Sequence, residues 1–229
     1  MKFEEGGISS MTDQIQIGQF HIDYLDLDQI MIRLQEMMQN DYLNTVALLT
    51  RHLILEAAAS EEKADYLKRI DLGILDEAEL LEAAGIKEGR VLEEVNDRIV
   101  MDRVFWQMVK RGMSVFLLSD TEQGGVLLQS FLTDRYPGIR IVGEIRKAPA
   151  TQAETDRLLN AVNGLFPDVI ISGLDGGQQD AFMVQHQTKV VGKIWWSFSE
   201  SPFLQEASGI KRGFLEDWRM KRAFRKSFM

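Results

Sequence analysis

The chain alternates short apolar runs with longer segments of helical periodicity, and this alternation constrains its fold more than any other feature. A short apolar run is typical of a buried strand, and strands that alternate with helices indicate parallel βαβ units. The sequence therefore predicts an α/β protein whose mainly parallel sheet is flanked by helices. Strands are predicted at residues 45–49, 72–75, 114–118, 139–145, 169–174 and 190–196, after extended structure around residues 15–22.

Capping residues and glycines predict where several helices begin and end. Asp26 with Gln29, and Thr151 with Glu154, form capping-box patterns that satisfy free N–H groups at a helix start. Gly112 is predicted to end a long helix over about residues 94–111. Other helices are predicted at about residues 27–40, from about 53, in a short piece ending near 85, at 126–136, after 151 and from 178.

The composition is that of a chain able to fold as one domain. Its 229 residues, of which 45% are hydrophobic, can bury a full core, and the lack of cysteine excludes disulfides and thiolate chemistry. The polar, acidic N-terminus is unlike a signal peptide, and no apolar run approaches membrane-spanning length. We predict a cytoplasmic protein with a flexible leader (1–14), one domain (15–209) and a basic C-terminal appendage (210–229).

Charge is concentrated unevenly along the chain. Residues 210–229 contain seven Lys or Arg and two acidic residues, although the whole chain carries a net charge of −9. The acidic body is expected to repel nucleic acid, so no nucleic-acid partner is predicted. As a helix, the basic and aromatic tail would either lie on an anionic membrane surface or pack its aromatic side chains on the domain. The sequence leaves both alternatives open.

Open parallel sheets bind ligands beyond the carboxyl ends of their strands, so the residues that follow each predicted strand are the candidates for function. Thr50 and Asp76 follow two of the apolar runs. A carboxylate beside a hydroxyl can deprotonate a sugar hydroxyl that attacks a glycosyl donor. Asp76 is equally suited to cap a helix, and Thr50 to bond its own backbone. From the residues alone, capping is favoured for Asp76.

A second candidate lies at residues 168–180, where an apolar run changes to glycines and amides. A glycine turn between a strand and a helix exposes N–H groups that bind phosphate or another polar ligand, although most such turns bind nothing. His21, His52 and His186 lack metal-ligand spacing, and no dinucleotide fingerprint follows a strand. We therefore predict neither a metal nor a cofactor.

The same loop resembles the glycine-x-glycine-x-proline-x-glutamine-glutamate motif of the WecG/TagA/CpsF family of bacterial glycosyltransferases. Gly173 and Gln179 match that motif, and Asp180 replaces its acidic residue. Asp175 stands at the second glycine and Gly177 at the proline. The resemblance implies that Gly173, Gln179 and Asp180 contact the sugar or the nucleotide.

Two strand ends carry the resemblance further. Residues 48–52 are similar to a family strand that ends in a threonine, with Thr50 retained and His52 at an asparagine position. Asp76 stands at the aspartate proposed as the family's catalytic base, and Glu77 replaces the glycine that follows it. The resemblance implies that Asp76 is the base, that Thr50 orients a substrate and that His52 helps to bind it.

The appendage and the donor loops complete the comparison. The tail residues Trp218, Arg219, Arg222 and Arg225 resemble a basic family tail implicated in membrane association and in binding the lipid-linked acceptor. Ser119 and Asp120 replace a double glycine, and Asp120 adds negative charge where a diphosphate would approach. Residues 94–99 replace the arginine, glycine and aspartate of another motif. These changes leave altered donor specificity or loss of catalysis as alternatives.

The resemblance spans residues 15–225 and implies a Rossmann-like fold. It implies transfer of an N-acetylhexosamine-type sugar, similar to N-acetylmannosamine, from a UDP-sugar to a polyprenyl-diphosphate-linked acceptor in cell-surface polysaccharide or teichoic acid synthesis. It also implies peripheral binding to the inner face of the membrane, with homo-oligomerisation as a further expectation. The alternative is a non-catalytic family member that acts as a binding or regulatory protein.

Overall fold

The computed structural model describes residues 14–145, 149–173, 182–183, 185–198, 201–208 and 213–229. Its central sheet has six strands in the order β4-β3-β8-β7-β5-β6, and every neighbouring pair is parallel. A separate antiparallel hairpin, β1–β2, precedes it. The strands are β1 (Gln14–Ile17), β2 (Phe20–Asp23), β3 (Asn44–Leu49), β4 (Leu72–Leu75), β5 (Ser114–Ser119), β6 (Arg140–Ile145), β7 (Val169–Gly173) and β8 (Ile194–Ser197). The predicted α/β, Rossmann-like fold is confirmed.

Helices connect the strands and flank the sheet. They include α1 (Leu27–Gln39), α2 (Arg51–Ala59), α3 (Glu61–Arg69), α4 (Ala78–Ala83), α5 (Arg90–Asn96), α6 (Ile99–Arg111), α7 (Glu122–Arg135), α8 (Gln152–Leu165), α9 (Pro202–Ser208) and α10 (Phe214–Phe228). Both predicted capping boxes are confirmed. Asp26 accepts from the N–H of Gln29, Thr151 accepts from that of Glu154, and each partner side chain bonds back.

The sequence prediction was wrong at several boundaries. The long helix predicted over residues 94–111 is divided into α5 and α6, because Arg98 adopts a left-handed backbone with φ of 54°. A right-handed helix cannot continue through such a residue. Helix α7 begins four residues early, since the Thr121 hydroxyl caps it by accepting from the N–H of Gly124. Helices α3 and α9 were not predicted, and the helix predicted from residue 178 begins outside the described residues.

Neighbouring tryptophans in β8 show how the sheet is covered on both faces. Successive side chains of a strand point to opposite faces. Trp196 stacks with Phe105 of α6 and belongs to the same apolar cluster as Met37 of α1, whereas Trp195 belongs to the cluster that contains Leu158 of α8. Both tryptophans are buried, so this pair belongs to the core.

A third apolar cluster fastens the C-terminal helix to the domain. Phe224 of α10 is fully buried among side chains of the β1–β2 hairpin and of α2, α4 and α5. Phe228 lies against Gly18, where an added Cβ would stand 2.7 Å from the phenylalanine ring. Gly18 also has a φ of +59°, so this tight turn requires glycine for two reasons. Of the two alternatives for the tail, the structure shows that Phe224 and Phe228 pack on the domain.

The opposite side of α10 remains in solvent. Leu215 and Trp218 are 67% and 50% exposed, and they share one helical face with Arg219 and Arg222. Phe224 stands about half a turn away on the buried face. The solvent-exposed face of α10 therefore combines large apolar side chains with basic ones.

The burial of Phe224 predicts a large effect of its truncation. Phe224→Ala should lower the free energy of unfolding by about 3 kcal/mol or more, because the substitution leaves a cavity at the junction of α10 and the domain. Leu215→Ala on the exposed face of the same helix should change it by less than about 0.5 kcal/mol. Urea denaturation followed by circular dichroism measures both variants. Equal, small effects would mean that α10 is not docked through this face.

Candidate functional site

Thr50 and Asp76 lie side by side at the carboxyl edge of the sheet. Strands β3 and β4 are parallel neighbours with Leu49 opposite Leu75, and each candidate residue follows its strand directly. The N–H of Asp76 donates to the Leu49 carbonyl over 3.1 Å, which continues the ladder one residue beyond the strands. The structure therefore brings the two predicted catalytic residues together.

Thr50 is the N-cap of α2. Its Oγ1 accepts a hydrogen bond from the N–H of Leu53 over 3.2 Å, and the residue is fully buried. The local capping role that the sequence allowed is therefore observed. A hydroxyl that accepts one hydrogen bond still has its own proton to donate, so capping does not prevent Thr50 from bonding a neighbouring group.

Asp76 does not cap a helix, contrary to the role that its residue type favours. Glu77 occupies the N-cap position of α4, and no side chain caps that helix. The Oδ2 atom of Asp76 is shielded from water and accepts no hydrogen bond in the described part of the chain. Burial, followed by the nearby charge of Glu77, raises the pKa of Asp76 to about 8, against an opposing effect of Arg98.

This environment suits a general base. A catalytic group works best when its pKa is close to the operating pH, because it must be ionised before the reaction and hold the proton afterwards. With a pKa of about 8, roughly one Asp76 carboxyl in ten is ionised at pH 7. An exposed carboxylate of ordinary pKa would be fully ionised and a far weaker base.

The buried neighbours of this pair are Arg51 and Glu77. The Oε2 of Glu77 accepts from the Arg51 backbone N–H over 2.6 Å and from its Nε over 2.9 Å. The Oε1 of Glu77 accepts from Nη2 of Arg51 over 3.3 Å. Burial disfavours the Arg51 charge, but the Glu77 hydrogen bond and the surrounding carboxylates outweigh it and raise the pKa of Arg51. The ends of β3 and β4 are thereby tied together.

The Arg51–Glu77 pair also reaches α10. Nη2 of Arg51 donates to Oδ1 of Asp217 over 3.0 Å, and its Nη1 lies 3.4 Å from Oε1 of Glu79. The same Glu79 oxygen lies 2.7 Å from Nζ of Lys221. Burial disfavours the charge of Glu79, but the Lys221 hydrogen bond and the charge of Arg51 lower its pKa overall. This ion network therefore places the first half of α10 next to the two turns that carry Thr50 and Asp76.

His52 and Gly173 lie at the same edge but play different structural parts. Nε2 of His52 lies 3.3 Å from Oε1 of Glu56, one turn further along α2. Gly173 ends β7, two strands away from β3, which corresponds to about 10 Å. A Cβ on Gly173 would stand 2.9 Å from Cδ1 of Leu204, so the Leu204 side chain of α9 packs directly over this glycine. Gln179 and Asp180 lie outside the described residues.

The end of β5, at the same edge, carries Ser119 and Asp120. Ser119 ends β5 opposite Gly173, and Asp120 follows it just before the first turn of α7. A helix N-terminus attracts anions, but a carboxylate beside it repels a diphosphate. The structure thus places Asp120 between the end of β5 and the N-terminus of α7.

The tail candidates lie on α10. The guanidinium carbon of Arg222 lies 5.5 Å from the centre of the Trp218 ring, a cation–π arrangement. Arg219 and Arg225 are exposed. Among the described residues, no helix is long and apolar enough to span a bilayer. The same residues contain no group of three or more His, Asp or Glu side chains that could hold a metal ion.

The sequence analysis did not predict the ion pair between Arg51 and Glu77. Both residues border candidates, Arg51 between Thr50 and His52 and Glu77 directly after Asp76. A charge beside a buried strand end is a signal that a partner is needed. The partner is 26 residues away, however, so only the pairing of β3 with β4 reveals it.

A six-stranded parallel sheet with a shielded carboxyl group at its carboxyl edge defines an α/β protein with a candidate ligand site at that edge. The profile of the Glycosyl transferase WecG/TagA/CpsF family matches residues 15–201, and the chain belongs to that family. Family membership places it among glycosyltransferases of cell-surface polysaccharide synthesis, which use a nucleotide-sugar donor and a lipid-linked acceptor. Comparison with curated proteins gives no match. The profile ends before α9 and α10.

The Arg51–Glu77 pair can be tested by a double-mutant cycle. Arg51→Met and Glu77→Leu should each lower the free energy of unfolding by about 3 kcal/mol, because each leaves the charge of the other residue buried with less compensation. The double variant Arg51→Met, Glu77→Leu should recover most of that loss. Lys68→Met, which removes an exposed ion pair with Asp65, serves as the control and should cost at most about 1 kcal/mol. Additive losses in the cycle would show that the two charges do not depend on each other.

Proposed function

We propose that the protein transfers an N-acetylhexosamine-type sugar, similar to N-acetylmannosamine, from a UDP-sugar to a polyprenyl-diphosphate-linked acceptor. The product would enter cell-surface polysaccharide or teichoic acid synthesis. The observation that carries the proposal is the Asp76 carboxyl group, whose shielded Oδ2 has no partner in the described part of the chain. It stands beside Thr50 at the edge where parallel sheets bind ligands.

In the proposed reaction Asp76 is the general base. An acceptor hydroxyl attacks the anomeric carbon of the donor, a new carbon–oxygen bond forms, and the bond to UDP breaks. The hydroxyl proton passes to Asp76, and UDP leaves with the electron pair of the broken bond. Thr50 orients the substrate through its hydroxyl, which donates while its oxygen accepts from Leu53.

The donor would lie across the strand ends from β4 toward β7. His52 contributes a ring held by Glu56 at one end of this path, and Gly173, the last residue of β7, lies at the other end. Gln179 and Asp180 contact the sugar or the nucleotide in this proposal, which for them rests on the sequence motif alone. Asp120 favours a donor contact that differs from the standard one, because it would repel a diphosphate near α7.

The acceptor would approach from the side of α10. The ion network of Arg51, Glu77 and Asp217 keeps the start of this helix near Asp76. Its outer face presents Trp218 and basic side chains, a combination that suits an anionic membrane surface and a lipid diphosphate. We propose that Arg219, Arg222 and Arg225 bind these anions and hold the protein at the membrane.

Transfer is tested with radiolabelled UDP-N-acetylhexosamines and a polyprenyl-diphosphate-linked acceptor in detergent micelles. The unmodified protein should label the lipid, and the rate should rise about tenfold between pH 6 and pH 7 and level off above about pH 8, because Asp76 must be ionised. Asp76→Asn should reduce the rate by at least about 100-fold. Calorimetric titration with each UDP-sugar would show whether the variant still binds the donor.

The controls separate loss of catalysis from loss of the donor site. Asp65→Asn, in an exposed ion pair on α3, should transfer sugar at the unmodified rate. Retained transfer in Asp76→Asn would contradict the role of Asp76. Absence of transfer and of UDP-sugar binding, with binding restored by Asp120→Gly, would support the second candidate, a non-catalytic binding or regulatory protein.

Membrane association is tested by sedimentation with vesicles. The unmodified protein should bind vesicles that contain anionic phosphatidylglycerol and should lose this binding in high salt. The double variant Arg219→Gln, Arg222→Gln should bind about 30-fold more weakly, since each basic residue contributes about 1 kcal/mol. Arg140→Gln, an exposed arginine on β6, should leave binding unchanged. Equal binding by all three proteins would contradict the role of the tail.

A further inference from the structure

A cavity lies between α1 and α6, the two helices that cover the Trp196 face of the sheet. Its volume is about 290 Å³. Its floor includes Met113, which directly precedes β5, and Ile194, the first residue of β8. Both residues mark the amino ends of parallel strands, whereas Thr50 and Asp76 follow the carboxyl ends. The cavity is therefore a separate place in the fold, at the opposite edge of the sheet from the candidate active site.

The walls of the cavity are apolar and adaptable. Methionines contribute much of the lining, and their flexible thioether side chains adjust to ligands of irregular shape. Four methionines line it, namely Met31, Met38, Met108 and Met113. Trp196 also contributes to the wall, and its indole Nε1 is buried and donates to no acceptor among the described residues.

The polar residues of the lining are mainly positive or neutral. Arg103 is exposed at the cavity and forms no ion pair within the described ranges. Arg111 donates to the side chain of Gln35 over 3.3 Å, which leaves its charge uncompensated by an acid. Asp28 is the acidic member of the lining, and it already accepts from Arg90 over 2.6 Å. The cavity thus combines an apolar interior with two arginines, Arg103 and Arg111, that have no acidic partner among the described residues, in a protein of net charge −9.

The size of the cavity decides between a small molecule and a polypeptide. A helix with its side chains is about 10 Å across, too wide to enter 290 Å³. An apolar cavity of about 150 Å³ is known to hold benzene, so roughly twice that volume suits an apolar body of about ten non-hydrogen atoms. Ligand pockets begin near this volume, at about 300 Å³.

We infer that this cavity binds a small amphipathic anion, whose apolar body lies among the methionines and whose carboxylate or comparable acidic group pairs with Arg103. A medium-chain fatty acid has this chemistry. The inference does not depend on the proposed sugar transfer, because its residues lie at the other edge of the sheet. The ligand is held by burial of its apolar part and selected by the charge of its head.

Decanoate is the probe for the test, and the protein carries ¹³C-methyl methionine assigned through single Met→Leu variants. Decanoate should bind with saturation at one site in calorimetry, and it should shift the methyl signals of Met31, Met38, Met108 and Met113. The neutral analogue decanol should bind about tenfold more weakly, since it lacks the charge that pairs with Arg103. All measurements use the full chain below the micelle concentration of the probe.

Two variants and one control make the result decisive. Arg103→Gln should weaken decanoate binding about tenfold and leave decanol binding unchanged. Met31→Trp, which fills the cavity from its partly buried wall, should abolish binding of both probes. Lys110→Gln, an exposed cation on α6 that does not line the cavity, should bind as the unmodified protein does.

The contrary outcomes are equally distinct. Failure to saturate, equal affinity for decanoate and decanol, or signal shifts confined to methionines elsewhere would overturn the inference. Shifts of the four methionine signals that depend on protein concentration alone would assign the cavity to contact with a second copy of the chain, which would also overturn it. If Met31→Trp does not fold, the Arg103→Gln comparison decides the question.

Discussion

The structure of the candidate site depends on one buried ion pair, Arg51 with Glu77. It joins the first turn of α2 to the turn after β4, and through Asp217 it also reaches α10. Isolated buried charges are costly, so each of these residues needs the other in its present position. The pair therefore fixes three elements relative to one another, and Thr50 and Asp76 lie directly beside it.

The same pair affects the chemistry of Asp76. The Glu77 charge adds to burial in raising the pKa of Asp76, although Glu77 itself is bonded to Arg51. A residue that holds the scaffold thus also raises the affinity of the neighbouring carboxylate for a proton. Glu77 stands where the family motif has a glycine, and its side chain adds the bond to Arg51 and raises the pKa of Asp76.

The sequence predicted the layers of the fold well, since buried strands and capping residues leave local patterns, as at Asp26 and Thr151. It failed at Arg98, where a left-handed residue divides a helix whose apolar periodicity continues. The pairing of Thr50 with Asp76 could be anticipated from their strand ends. The ion network and the cavity could not, because both arise from residues far apart in the chain that only the packed helices bring together.

The central claim is that Asp76 is a shielded carboxyl group with the pKa of a base near neutrality. The most direct measurement is an NMR titration of its side-chain carboxyl carbon in the ¹³C-labelled full chain, assigned by comparison with Asp76→Asn. We predict a midpoint at about pH 8. A midpoint below pH 5, as for an ordinary exposed aspartate, would contradict the account, because Asp76 would then be neither shielded nor suited to take a proton.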